Sequence, residues 1–66
     1  MEKNKYHILP SDTDVAIIAG DLIGYDNIDA GTYFTPVTVY ATEEEIEIII
    51  ELLNEKGKKH SSRKLP

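Results

Sequence analysis

The 66-residue chain contains no cysteine and no tryptophan. Without cysteine it has neither a disulfide framework nor a thiolate metal site, which are common ways of stabilising very small domains. A chain of this length buries only about 60% of the surface that its unfolded form exposes. Ideal packing and self-association remain as sources of stability, and we predict a homo-oligomer.

Long hydrophobic runs are also missing. The N-terminal sequence MEKNKYHILP has no extended apolar core, and the longest uncharged apolar run, VAIIAG, covers only residues 15–20. A membrane-spanning helix needs about 20 apolar residues, and a secretory signal needs a continuous apolar core. The sequence therefore predicts a cytoplasmic protein with no membrane contact.

Positive charge is absent from most of the chain, because residues 6–55 contain eleven acids and no lysine or arginine. Residues 56–66 contain five basic residues and no acid, and the net charge of the chain is −5 at pH 7. An acidic body repels phosphate backbones and suits basic partners, whereas the basic end suits nucleic acid or an acidic surface. Segment 58–66 has Leu65 as its only large apolar residue. We therefore predict one domain, 1–57, and a basic disordered tail, 58–66.

Three segments before the centre of the chain have the composition of strands. The first is the apolar run 6–9, which precedes a proline. The second, 14–25, is rich in valine and isoleucine, and its glycines are typical of bulges or bends. The third, 32–41, consists mostly of β-formers and is interrupted by Pro36. Both longer segments are apolar on both faces, although a single helix covers only one face of a sheet.

The sequence TEEEIEIIIELLNEKG, 42–57, carries the signals of both ends of a helix. Thr42 followed by Glu45 is a capping-box pattern, and the adjacent glutamates suit the positive N-terminal end of a helix. Lys56 and Gly57 suit its C-terminal end. The alternation in EIEIIIE also fits a strand, but the length and the end signals favour the helix. We predict an α+β fold, a small antiparallel sheet of two to three strands followed by one C-terminal α-helix.

This helix is more apolar than docking on one sheet requires. Its main apolar stripe consists of Ile46, Ile49, Ile50 and Leu53. Ile48 and Leu52 widen the apolar arc to about 200°, twice the roughly 100° that a surface helix needs. We predict that Ile48 and Leu52 contact a second chain, and that Phe34 and Tyr40 on the uncovered sheet face are further interaction residues. The alternative is that a curled sheet or the first strand covers both stripes within one monomer.

No set of residues matches a catalytic, metal or cofactor motif. His7 and His60 are far apart in sequence, and no serine has a base beside it. The acidic residues within 21–29 suit a turn, and their spacing does not fit a calcium loop. We predict no enzymatic activity, no bound metal and no cofactor.

The residues GDLIGYDN, 20–27, resemble part of the first sequence motif of Sm-like RNA-binding proteins. The resemblance implies a helix before a barrel, and a second motif with an RNA-contacting basic residue. Neither is present, since residues 6–55 contain no lysine or arginine. The resemblance covers eight residues and assigns no family.

We predict that the chain is a small acidic, non-enzymatic interaction protein. It would act as a homodimer and as a modulator or inhibitor that binds another protein. The alternative is a nucleic-acid-associated accessory protein that uses its basic C-terminal tail. The salt dependence of binding distinguishes the two functions. The affinity for nucleic acid falls steeply as the salt concentration rises, whereas a hydrophobic contact with a protein persists.

Overall fold

The computed structural model describes residues 2–32 and 35–66. They form an α+β fold whose elements are, in order, β1 (Asn4–Leu9), α1 (Thr13–Ile23), β2 (Ile28–Asp29), β3 (Val37–Ala41), α2 (Glu43–Glu55) and β4 (Ser61–Lys64). The strands form one antiparallel sheet in the order β2-β3-β1-β4. Each half of the chain is a split βαβ unit, the arrangement of ferredoxin-like folds.

Both helices pack on the same face of this sheet. The register places Tyr6 opposite Val39 and Ile8 opposite Val37, and all four side chains are buried. They share one core with buried residues of both helices, namely Val15 and Ala19 from α1 and Ile46, Ile49 and Leu53 from α2. In the described part of the chain, no helix covers the opposite face of the sheet.

Segment 14–25, predicted as a strand, forms most of α1 and the first residue of the 3₁₀ turn Tyr25–Asn27 that follows it, so this prediction was wrong. Asp12 caps the helix, because its Oδ1 accepts a hydrogen bond from the Val15 amide at 3.1 Å. Gly24 ends it with a φ of 92°. The β-branched composition favours a strand, but the cap and the burial of Val15 and Ala19, one helical turn apart, override that weak preference.

Residues 20–27, which resemble an Sm-like motif, form the end of α1 and the 3₁₀ turn rather than a bent barrel strand. Gly20 is buried beneath the Tyr25 ring, and a Cβ at this position would overlap that ring. The Asn27 side-chain amide donates to the Ile23 carbonyl at 2.7 Å. A side chain at position 20 would therefore require the exposed Tyr25 ring to move.

The helix predicted over 42–57 is confirmed as α2, with both bonds of the capping box, but it is one of two helices in the described residues and β4 follows it. The Glu45 amide donates to Thr42 Oγ1 at 3.2 Å, and the Thr42 amide donates to Glu45 Oε1 at 2.9 Å. Beyond the last helical residue, Glu55, Gly57 has a φ of 90°. Local sequence signals therefore define both ends of this helix.

The sheet has four strands in the described residues instead of the predicted two to three. Two of the four, β2 and β4, were not predicted as strands, and β4 comes from segment 58–66, which was predicted to be a disordered tail. It pairs antiparallel with β1, with Tyr6 opposite Lys64 and Leu9 opposite Ser61. Its side chains are exposed. Main-chain hydrogen bonding, which does not depend on apolar side chains, therefore gives this basic segment its place in the sheet.

The two other predicted strands have different bounds in the structure. Segment 6–9 belongs to the longer β1, and segment 32–41 is a strand only over Val37–Ala41. An isolated bridge joins Thr32 and Thr35 upstream of β3. Phe34, one of the predicted interaction residues, lies outside the described residues.

Candidate binding groove and open sheet face

An open groove of about 740 Å³ runs between α2 and β4. Its floor is apolar and includes Ile46, which is 4% exposed, and the half-buried Ile50. The wall formed by α2 carries Glu47, Glu51, Asn54 and Glu55, and the opposite wall carries Ser61 and Ser62. The small serine side chains leave the isoleucine floor open toward this edge of the sheet.

The strand β4 is an edge whose outer main-chain groups are unpaired within the described residues. The Leu65 amide donates to the Lys5 carbonyl at 2.8 Å, so these opposed residues form a hydrogen-bonded pair. Hydrogen-bonded and non-bonded pairs alternate along an antiparallel ladder. The N–H and C=O groups of Ser62 and Lys64 therefore point away from β1, at the rim of the groove.

Tyr6, near the groove, has a buried polar atom without a partner. The residue is 5% exposed, and its hydroxyl has no hydrogen-bond partner in the described structure. Tyr6 borders a smaller cavity of about 270 Å³, and Ile46, Glu47 and Ser62 border both this cavity and the groove. A buried hydroxyl that lacks a partner costs about 1–3 kcal/mol.

His60 lines the groove and anchors the start of β4. It is 4% exposed, and its amide donates to Asn54 Oδ1 at 2.8 Å. Its ring Nδ1 lies 2.9 Å from the Lys58 carbonyl, and its Nε2 lies 3.1 Å from Asp12 Oδ2. A carbonyl and a carboxylate can only accept hydrogen bonds, so both bonds are made only when both ring nitrogens carry protons. The geometry pairs the His60 ring with the Asp12 carboxylate.

Asp12 therefore joins the N-terminus of α1 to the segment that leads into β4. Desolvation by burial raises the pKa of Asp12, but hydrogen bonds from the His60 ring and the Val15 amide, with the positive charges of His60 and Lys58, outweigh this effect. The pKa of Asp12 consequently lies below its ordinary value. The Lys58 Nζ, 3.8 Å from Oδ2, belongs to a side chain that is 65% exposed, so its contribution is small.

The sheet face opposite the helices carries basic and aromatic side chains. The register places Lys5 opposite Tyr40 and His7 opposite Arg63, on the side of the strands that faces away from the core. Tyr40 is 45% exposed, and the Lys3 ammonium lies 5.7 Å from the centre of its ring. Arg63, from the basic end of the chain, thus contributes positive charge to the open sheet face. The outer side of α2, in contrast, is acidic.

The predicted interaction residues do not form one surface. Ile48 and Leu52 lie on α2, where they are 46% and 38% exposed, and neither borders the groove. Tyr40 lies on the opposite face of the sheet. The structure therefore does not bring Tyr40 together with the two helical residues, and the role of all three in binding stays a prediction.

Sequence reasoning missed the groove, because it assigned Ile46 and Ile50 to a closed core and His60 to a disordered tail. No local pattern in SSRK, 61–64, marks a strand, since serine and charged residues have no strong preference for sheets. His60 and Asp12 are 48 positions apart, so their pairing leaves no signal in sequence spacing. The one sequence signal was the large number of isoleucines in α2, which indicated that part of this helix is apolar surface outside the core.

Within residues 2–32 and 35–66, no three histidine, aspartate or glutamate side chains are grouped as metal ligands. In the same ranges, neither helix has the length and apolarity needed to cross a bilayer. Comparison with known protein families, with curated proteins and with solved structures finds no match to this chain.

Proposed function

We propose that this chain is a small acidic, non-enzymatic interaction protein, a modulator or inhibitor that binds another protein through the groove between α2 and β4. The observation that carries the proposal is the composition of this groove: an isoleucine floor between an acidic helix wall and an open strand edge. Burial of the floor supplies binding free energy, and the glutamates select for basic residues.

The environment of His60 supports a structural rather than a catalytic role for this histidine. Both ring nitrogens already bond to Lys58 and Asp12, so neither is free to accept a proton from a substrate. The backbone amide is also bonded, to Asn54. His60 holds one end of the binding groove in shape.

The test is capture of proteins from the native host's lysate by the immobilised chain, with two charge reversals compared. Glu51→Lys alters the groove wall, whereas Glu44→Lys makes the same change in the first turn of α2, outside the groove. We expect a captured protein that resists high salt, is lost with Glu51→Lys and is retained with Glu44→Lys. No salt-resistant capture, or equal capture by both variants, would contradict the proposal.

Self-association is part of the same proposal. Ile48 and Leu52 lie outside the groove, so a second copy contacting them would leave the groove accessible. Burial of a large aliphatic side chain contributes about 1.5–3 kcal/mol, which is substantial for a domain of this size. The homodimer is thus proposed to stabilise the fold, and the groove to bind the partner.

A second candidate function is binding of single-stranded nucleic acid on the open sheet face. It is favoured by the exposed Tyr40 ring, which offers a stacking surface, beside Lys5 and Arg63, which offer positive charge. Against it, β2 contributes the acidic Asp29 to the same face. The proposed groove lies on the other side of the sheet edge, so the two functions are separable by mutation.

Neighbouring residues on β4 provide a matched test of this second function. Arg63 is on the open face, whereas Lys64 is on the helix face, so Arg63→Gln and Lys64→Gln remove one positive charge from opposite sides. If a labelled single-stranded oligonucleotide binds the open face, Arg63→Gln should lower the slope of log affinity against log salt by about 0.7, and Lys64→Gln should not. Absence of binding at low salt, or equal effects, would exclude this surface.

A further inference from the structure

We infer that the groove takes an extended polypeptide segment of alternating basic and apolar character, which adds to the sheet as a strand alongside β4. This inference rests on the proposed function and specifies its partner. It depends on three features that meet at one edge of the molecule: unpaired main-chain groups, an apolar floor and an acidic wall.

The main-chain groups supply the first step of recognition. Ser62 and Lys64 direct their N–H and C=O groups away from β1, and no described element pairs with them. An extended peptide satisfies such groups by forming its own antiparallel or parallel ladder with the edge. This contact orders the peptide as a strand and is independent of its side chains.

The groove floor then sets the side-chain pattern of the added strand. Successive side chains of a strand point to opposite faces, so every second residue of the peptide would lie over Ile46 and Ile50. These positions suit aliphatic side chains. An arginine among them places its alkyl stem on the isoleucines and its guanidinium near Glu47 or Glu51, where a charge-assisted hydrogen bond is available.

A second copy of the chain fits this edge less well than a different protein. If two β4 strands paired with each other, the helix-facing side chains brought to the groove would be Ser62 and Lys64. Ser62 is too small to cover Ile46 and Ile50, and the alkyl stem of Lys64 would cover only part of them, so part of the apolar floor would stay open. The floor calls for aliphatic side chains, which this face of β4 lacks.

The experiment uses the full chain and a synthetic heptapeptide with threonine at its odd positions, isoleucine at the second and sixth, and arginine at the fourth. Binding is followed by amide chemical shifts and amide hydrogen exchange. We expect saturable binding in which the amides of Ser62 and Lys64 gain protection from exchange. Amides on the far edge, in Ile28–Asp29, should be unaffected.

Two modified peptides separate strand addition from general attraction. N-methylation of the peptide amides that face β4 should weaken binding by at least about tenfold, because two main-chain hydrogen bonds are lost. A peptide of the same composition without the alternation should also bind more weakly. Equal affinity of the N-methylated peptide, or no protection of Ser62 and Lys64, would overturn the inference.

Protein variants separate this inference from the proposed function. Glu51→Lys should weaken the heptapeptide about tenfold, whereas Glu44→Lys should leave its affinity within about twofold. If a captured protein depends on Glu51 but leaves the Ser62 amide unprotected in the complex, the proposed function stands and strand addition fails. Protection of Ser62 that rises with protein concentration in the absence of peptide would assign the edge to a second copy, and would also overturn the inference.

Discussion

The pairing of Asp12 with His60 should make a large contribution to stability for so small a domain. The His60 ring donates one hydrogen bond to a carbonyl and one to a carboxylate, interactions worth about 1 kcal/mol and about 1.5–3 kcal/mol respectively. The Asp12 side chain is 24% exposed, so we take the lower part of the second range. We expect His60→Ala to lower the free energy of unfolding by about 2–3 kcal/mol.

Substitution of Asp12 isolates the charge from the helix cap. Asn is as good an N-cap as Asp, so Asp12→Asn should keep α1 capped and cost about 1–2 kcal/mol through loss of the ion pair. Lys58→Ala should cost less than about 0.5 kcal/mol, because the Lys58 side chain is exposed. Urea denaturation of the single variants and of Asp12→Asn combined with His60→Gln should show a coupling energy of about 1–2 kcal/mol.

The direction of the pH dependence follows from the lowered pKa of Asp12. A carboxyl whose pKa is lower in the folded than in the unfolded chain contributes stability above the unfolded pKa, about 4, and loses it as pH falls through the folded value. The difference in stability between the parent and Asp12→Asn should therefore be fully present above about pH 5 and shrink in acid. Strictly additive variants, or a difference that persists to about pH 2, would refute the ion pair.

Three further predictions concern the helix cap, β4 and self-association. Thr42→Ala should cost about 1 kcal/mol in equilibrium denaturation and Thr42→Ser much less, and equality of both with the parent would contradict the capping box. Removal of residues 58–66 should cost at least about 2 kcal/mol, which lowers the melting temperature by roughly 8–16 °C, since it deletes β4 and the buried His60; an unchanged melting temperature would show that β4 contributes nothing. Ile48→Lys should convert a dimer to a monomer in sedimentation equilibrium, and a parent chain that is monomeric at all concentrations would exclude the dimer.

The helix α2 was determined by its own sequence. The capping bonds join Thr42 to Glu45 within one helical turn, and the glycine that follows the helix end is two residues beyond Glu55. Such signals act between neighbours in the chain and do not depend on the rest of the fold. The α+β class followed from this helix and from the strand composition of the flanking segments.

The helix α1 was decided by packing instead. Its valines and isoleucines fit a strand, and the preference between helix and strand for such residues is small enough for tertiary contacts to reverse. Val15 and Ala19 are buried against the sheet while Ile17 is 45% exposed, and Gly20 lies beneath the Tyr25 ring. On a strand, residues 15, 17 and 19 would share one face, so this pattern of burial requires helical geometry. The contact of Val15 and Ala19 with the sheet spans residues distant in sequence, so the local pattern could not reveal it.

The strand β4 and the groove beside it depended wholly on the tertiary structure. Composition correctly separated the acidic body from the basic end, because charge is a property of each residue. It could not show that the basic end pairs with β1, since main-chain hydrogen bonds form with almost any side chain. Nor could it show that His60 is buried against Asp12, because that contact exists only after α1 and β4 are both in place. The groove arises between α2, whose position is set by apolar packing, and β4, whose position is set by backbone pairing, and neither segment contains it alone.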